Sequence, residues 1–471
     1  MKEPSYQSLK CTCGKLRSEN RALRRENAAL RRENAALKNH VADLQVALEL
    51  AQRQGKRQAA PFSKGPPKSH PKRPGRKPGL RYGKKAHRQP PAPEQIDEFY
   101  EAVLPVTCPH CGGAVKHEKT VPQYQVEIPS RPIYRQFNVQ IGHCCKCGHR
   151  VQGRHSLQTS DALGAAASQV GPRAQSTVAF LNKYCGLSHG KISRLFRQAF
   201  GIPLSRDGSA QVVLRAGRRC QGTYEQIKTR VGNSPWVVAD ETGWKLGGHP
   251  AWMHVLVGPE AICYRIAHSR GAEVAAGVLG WDWPGVLIHD GLSSYDRFSK
   301  ANHQQCLRHV LKRAREMLAV ARGGAVHFPR QVIALFERAL SLRDLHQAGR
   351  ISSDQLAEHT LGLACHLEKL TSAEKQNVAN ERLRKHLKKH LWQWFWFLLE
   401  PGLDATNWRA EQAVRLGVIN RKVWGGNRVD TGRRAQEVLM SVIGTCFLHE
   451  LCPIEYLCQR LCGWTPQLIP P

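Results

Sequence analysis

The chain has 471 residues, 70 of them Lys or Arg against 37 Asp or Glu, for a formal net charge of +33; that length implies two to four domains, and that charge calls for a polyanionic partner, nucleic acid before a membrane surface. No apolar run reaches the roughly 18 residues of a spanning helix, and Met1 to Leu16 is polar, so neither a membrane segment nor a secretory leader is expected. Sixteen cysteines without a leader imply a reducing compartment, where CxxC pairs bind metal more often than they form disulfides. The cytoplasm of a prokaryote, with its nucleoid, satisfies this, as would a nucleus.

Residues 1–54 predict a coiled-coil dimerisation helix. Leu16, Leu23, Leu30, Leu37 and Leu44 fall seven apart at d, and Asn20, Asn27, Asn34, Val41 and Leu48 fall at a. Asn at a favours a two-stranded, in-register pair. Glu19, Glu26 and Glu33 at g oppose Arg24, Arg31 and Lys38 at the e positions of a partner, the sign pattern of a parallel homodimer.

Residues 55–93 change character. Lys56 to Arg88 holds twelve Lys or Arg and no acid, among many Pro and Gly, so an extended basic linker is expected. Within it Arg73, Arg76 and Lys77 are candidate DNA contacts, by phosphate affinity or as a minor-groove hook. Residues 94–155 predict a small β-rich, zinc-ribbon-like module. Cys108-Pro-His-Cys111 and Cys144-Cys-Lys-Cys147 supply four thiolates for a tetrahedral Zn²⁺, with His110, His143 and Cys145 as spare candidates. Residues 156–232 predict a helical domain. A helix ending near Gly186, followed by one capped by Ser188, is helix-turn-helix-like and a candidate DNA reader.

From 233 the pattern becomes α/β. Trp236–Asp240, Trp252–Val257 and Ala261–Ile266 predict three hairpin-linked strands, Gly271–Leu279 a helix, and Gly285–Asp290 a returning parallel strand. That order is ribonuclease H-like, and it makes the first and fourth strands neighbours. Asp240 and Asp290 then end two adjacent strands. Residues 301–400 predict a helical insertion, opening at Asn302 and closing on the aromatic cluster Trp392–Leu399. Residues 401–471 return to the core. Asn407 or Thr406 caps a helix carrying Glu411, with Ala410, Ala413, Val414 and Val418 toward the sheet; Asp404 and Glu400 are rival acids in less regular settings. Two strand-end aspartates and a helical glutamate form an oxygen-only ligand set for Mg²⁺ or Mn²⁺ in phosphodiester chemistry. Past Glu411, Arg415, Arg421, Lys422 and Arg428 suit DNA phosphates. The fold class expected is thus a multidomain α/β protein, its ribonuclease H-like core interrupted by helices.

These residues resemble one family closely. Asp240-Glu-Thr-Gly-Trp-Lys, His289-Asp-Gly-Leu-Ser-Ser-Tyr-Asp296, His303-Gln-Gln-Cys-Leu-Arg-His309 and Asn407-Trp-Arg-Ala-Glu411-Gln-Ala-Val-Arg415 are similar to the motifs of the insertion sequence sixty-six family of DDE transposases, and the order of modules matches. The chain departs at Trp408, where that family usually has a small polar residue, and at the extra Cys145. The resemblance implies DNA transposition: hydrolysis at the element's ends, then 3′-hydroxyl strand transfer into target DNA, with companion proteins of the same element as partners. A DNA-binding protein with an inactive core, and a nuclease without strand transfer, are the competing functions.

Overall fold

The computed structural model describes residues 15–16, 18–37, 41, 44, 91–117, 119–125, 132–158, 161–163 and 169–469. They fall into two units, Met1–Tyr124 and Gln125–Pro471. In the first unit residues 18–37 form helix α1. Leu16, Leu23, Leu30, Leu37 and Leu44 are each more than half exposed on the single chain. Leu48 and the basic run with Arg73, Arg76 and Lys77 lie outside the described residues. Thr107 and Ala114 form an isolated antiparallel bridge around the first cysteine pair.

The second unit opens with a hairpin of β1 (Ile141–His143) and β2 (Arg150–Gln152) around the second pair. Within the expected β-rich module, residues 132–140 form no strand. Helices α2 (Pro172–Lys183), α3 (His189–Phe200), α4 (Arg206–Arg219) and α5 (Gln221–Gly232) follow. Ser188 caps α3 as expected, its hydroxyl accepting the Lys191 N–H at 3.4 Å.

The sheet has the order β5-β4-β3-β6-β7. Its strands are β3 (Trp236–Leu246), β4 (His249–Val257), β5 (Ile262–Ala267), β6 (Val286–His289) and β7 (Asn302–Gln305), with α6 (Ala272–Leu279) crossing between β5 and β6. β3, β4 and β5 run antiparallel in sequence, while β6 lies parallel to β3 and β7 parallel to β6. Two expectations change here. β3 continues six residues past Asp240 because its antiparallel pairing with β4 extends to Leu246, so Asp240 lies inside a strand. Asn302–Gln305 is a strand and not the start of the helical insertion. Its two glutamines are buried because partners satisfy them: Gln304 accepts the Phe397 N–H at 3.1 Å, and Gln305 donates to Gln393 at 2.7 Å.

Alternation along the central strands separates two cores. Trp236, Val238, Val286 and Ile288 face one, and Val237, Ala239 and Leu287 face the other. The first core is closed by α7 (Leu307–Val320), α8 (His327–Gln347), α9 (Ser353–Ser372), α10 (Val378–Lys389), α11 (Trp396–Leu399) and α12 (Trp408–Trp424). The second is closed by α2 to α6 with α13 (Asp430–Leu448) and α14 (Pro453–Leu461). Of residues 156–232, expected as a domain of their own, the helices from 172 onward are therefore a layer of the sheet's own core. The aromatic cluster is core at Trp394, Phe395 and Phe397, whereas Trp392 is 70% exposed.

Two glycines let α12 close on the sheet. A Cβ on Gly417 would sit 2.4 Å from Met253 Sδ of β4, and one on Gly426 (φ +133°) would sit 2.3 Å from the Lys245 carbonyl of β3. Asn427 completes the join: its N–H donates to the Lys245 carbonyl at 2.9 Å, and its Oδ1 accepts the Trp244 indole at 2.9 Å.

Lys183 ties α2 to α12 and α13. Its ammonium donates to Gln436 Oε1 at 2.5 Å, and its carbonyl accepts Asn420 Nδ2 at 2.9 Å. Full burial pulls its pKa down to about 7. Between that value and the unfolded one near 10.4 the unfolded chain binds the extra proton, so stability rises with pH across that window. The cost of the charge is fully present below about pH 7. Lys183→Met is expected to stabilise the fold by about 1–3 kcal/mol at pH 6.5, with the gain shrinking toward pH 9.5. Scanning calorimetry at both pH values checks this; an equal gain at both would show that the charge is not the cost.

Candidate active site

Strand parity positions the two aspartates. On β3, Asp240 has the parity of Trp236 and Val238; after β6, Asp290 has the parity of Val286 and Ile288. Val238 pairs with Ile288, and each aspartate follows its paired residue by two. Both therefore project toward the face covered by α12, where Ala410, Ala413 and Val414 are buried against the sheet. Glu411 stands on that helix, in its first turn. Asn407 is the N-cap residue but makes no side-chain cap bond, and its buried Oδ1 has no partner among the described residues.

The acids feel one another. Burial first of all, then the charges of Glu241, Asp290 and Glu411, pushes the Asp240 carboxyl up to about 7, against a lowering contribution from the Glu241 N–H. That N–H donates to Asp240 Oδ1 at 2.9 Å, and the Leu292 N–H donates to Asp290 Oδ1 at 3.1 Å. Backbone donors thus orient one oxygen of each aspartate.

Glu411 is engaged differently. Its Oε2 accepts Arg308 Nη1, and its Oε1 lies 3.9 Å from His309 Nε2. The start of α7 is fixed beside the site by backbone bonds: Cys306 N–H to the His289 carbonyl at 3.1 Å and Leu307 N–H to the Ala405 carbonyl at 2.9 Å. The Asn407 N–H donates to Cys306 Sγ at 3.5 Å. Of the rival acids, Asp404 is bound to Arg409 at 2.7 Å.

The sequence did not single out Glu241, whose side chain is only 2% exposed. Neighbours on a strand face opposite ways, and Glu241 lies on the far side from Asp240, held by Arg270 at 2.7 Å and by the Tyr295 hydroxyl at 3.3 Å. Arg308 and His309 were also missed as site residues; the signal available was their place just after the second acid motif.

Among the described residues no group of three or more His, Cys, Asp or Glu side chains is arranged to hold a metal ion. The acidic donors fit Mg²⁺ or Mn²⁺ in kind, being all oxygen, and the raised Asp240 is the group a cation would relieve. Glu411, however, is paired with Arg308. The cysteines form two separate turns built alike. Cys108 N–H donates to Gly113 and Gly112 N–H to Cys108, each at 2.8 Å; Cys144 N–H donates to His149 and Gly148 N–H to Cys144, again at 2.8 Å. Backbone donors lower the thiol pKa of Cys108, chiefly His110 and Cys111, and of Cys144, chiefly Cys147 and Lys146. Cys111, Cys147 and the extra Cys145 are exposed.

Of the basic residues past Glu411, Arg415 and Arg428 are exposed and Lys422 half-buried. Arg421 instead donates to the Gly243 carbonyl of β3, so it braces α12 on the sheet. No described helix is long and apolar enough to cross a membrane.

The linkage at Asp240 has a definite sign. Its folded pKa of about 7 exceeds the unfolded value near 3.9, so the folded state binds more protons between them and stability falls as pH rises through that window. In metal-free buffer Asp240→Asn is expected to stabilise the protein by about 1–3 kcal/mol at pH 8, with the gain gone near pH 4. Thermal melts at the two pH values measure it. A destabilised variant at pH 8 would mean that the charged form is welcome in its site.

Residues 167–435 match the family model described as Transposase IS66 family. The match takes in Asp240, Asp290 and Glu411 and does not extend to the cysteine turns or the leucine heptads. No curated protein matches the sequence. With more than half of its length covered by that match, including all three acids, the chain belongs to the IS66 family of transposases.

Proposed function

We propose that this transposase binds the ends of its element and joins them to target DNA by metal-dependent phosphodiester chemistry at Asp240, Asp290 and Glu411. The observation that supports the reading is the shared face: Asp240 and Asp290 each follow a paired residue of two adjacent parallel strands by two, and α12, with Glu411 in its first turn, packs over that face, so that Asp290 and Glu411 both act on Asp240. The sheet order, three antiparallel strands followed by two parallel ones, supports a ribonuclease H-like core. Asp240, Asp290 and Glu411 would hold Mg²⁺ or Mn²⁺, which when bound activates water or a 3′-hydroxyl and stabilises the leaving oxygen. The protein's own part is positioning. Backbone N–H groups hold one oxygen of each aspartate and leave the other for the cation. Arg415, one turn past Glu411, with Lys422 and Arg428, faces the phosphate backbone. No Ser or Tyr nucleophile is required.

Joining is tested with the full chain, the companion proteins of its element, pre-cleaved end DNA, a target plasmid and Mg²⁺. Asp240→Ala, Asp290→Ala and Glu411→Ala are each expected to lower joining at least about a thousandfold while end binding persists. Binding without joining in the parent protein would leave a DNA binder only, and cutting without joining would leave a nuclease.

The outer modules support the same role. The heptads favour a parallel homodimer, which suits a protein that must hold two ends, and the basic stretch with Arg73, Arg76 and Lys77 adds phosphate affinity. Each cysteine turn offers two thiolates to Zn²⁺, Cys108 with Cys111 and Cys144 with Cys147, their backbone donors already favouring the thiolate form that zinc needs. Purified protein is expected to contain zinc by elemental analysis, and less of it after either Cys108→Ser or Cys144→Ser. Zinc-free parent protein, or undiminished zinc in both variants, would refute this.

A further inference from the structure

The third acid of the proposed site is occupied. Arg308 bonds one oxygen of Glu411 and His309 approaches the other at 3.9 Å. The Arg308 side chain is 62% exposed and that of Glu411 27%, so the pair is screened by water and easily exchanged. Its backbone supports are firmer. The first turn of α7 hangs from the carbonyl of His289, the residue before Asp290, and is bonded to the loop that starts α12. The guanidinium thus has a fixed base beside the acids and a solvent-facing end. A guanidinium fork donates to a carboxylate or a phosphate with the same geometry.

We infer that Arg308 is a phosphate-binding residue of the active site: it gives up Glu411 for a backbone phosphate of DNA, and DNA loading thereby releases the third acid to the metal. The inference rests on the metal-site reading above. It gives a role to the pairing of Glu411 with Arg308 on the face that carries Asp240 and Asp290. It also gives the enzyme order: the full ligand set forms only where a phosphate is present to be cut. A static brace between α7 and α12 is the alternative role for the same pair. Such a brace would be indifferent to DNA.

The test uses Mn²⁺ as the probe, the full chain, and a short DNA duplex, with free Mn²⁺ followed by electron paramagnetic resonance and the duplex's own Mn²⁺ uptake subtracted. In the parent protein Mn²⁺ affinity is expected to rise roughly fivefold or more when the duplex is added. Arg308→Gln is expected to bind Mn²⁺ more tightly than the parent without DNA and to gain little from it. Arg308→Lys, which keeps the charge but not the fork, is expected to retain part of the coupling. In Arg308→Gln the slope of log affinity for DNA against log salt should be shallower by about one. Mn²⁺ binding that weakens in Asp240→Asn, yet shows the same affinity and the same DNA response in Arg308→Gln as in the parent, would overturn the role of Arg308 and leave the metal site standing. Mn²⁺ binding indifferent to Asp240→Asn would overturn both.

Discussion

The arrangement depends on two adjacent strands, β3 and β6, that are buried on both faces and locked in one register. Val238 opposite Ile288 puts Trp236, Val238, Val286 and Ile288 into one core and Val237, Ala239 and Leu287 into the other. Slipping either strand by one residue would exchange its two sets of side chains, and both cores would have to repack. Packing therefore sets the face of Asp240 and Asp290 before any electrostatic preference acts. The close approach of α12, made possible at Gly417 and Gly426, brings Glu411 to the same face. The acids are held together by apolar contacts that have nothing to gain from their charges.

Much of this was readable in the sequence, for identifiable reasons. An apolar run ending in Asp marks a buried strand whose last side chain leaves the core, and two such runs separated by hairpins and a helix define neighbours. What could not be read depends on partners distant in sequence. β7 is polar, and only its bonds to Gln393 and Phe397 show why Gln304 and Gln305 can be buried. The extension of β3 past Asp240 needed the register with β4. The helices before the sheet carry an amphipathic pattern that tells which face is apolar but not what covers it, so they read as a separate domain. Arg308 and Glu411 are 103 residues apart, and nothing local connects them. Arg421 was expected on DNA phosphates, whereas its guanidinium donates to the Gly243 carbonyl of β3.

Two acids on opposite sides of the sheet show how stability and function differ in charge placement. Glu437 on α13 is fully buried, and its oxygens meet Arg433 at 2.7 Å, Arg434 at 3.3 Å and the Ile266 N–H at 2.6 Å. Opposite charge and a backbone donor satisfy it, so it fastens α13 to β5. Asp240 is half-buried among three other carboxylates and has one backbone donor. The groups that act on it most strongly are carboxylates and that one N–H, with no cation among them. A fold that spent its interior on stability alone would place a neutral residue there.

That imbalance is the strongest physical argument for an external cation. Carboxylates crowded on one face repel one another and are desolvated, and a divalent ion removes both costs at once. The surrounding protein is strongly basic, with 70 Lys and Arg against 37 acids, so a neutralising guanidinium could have stood beside Asp240 as Arg433 stands beside Glu437. It stands beside Glu411 instead, at the solvent edge, where a phosphate can compete for it. On the proposed reading the uncompensated carboxyl is the one the metal would relieve, and the Arg308–Glu411 pair is the one DNA would exchange.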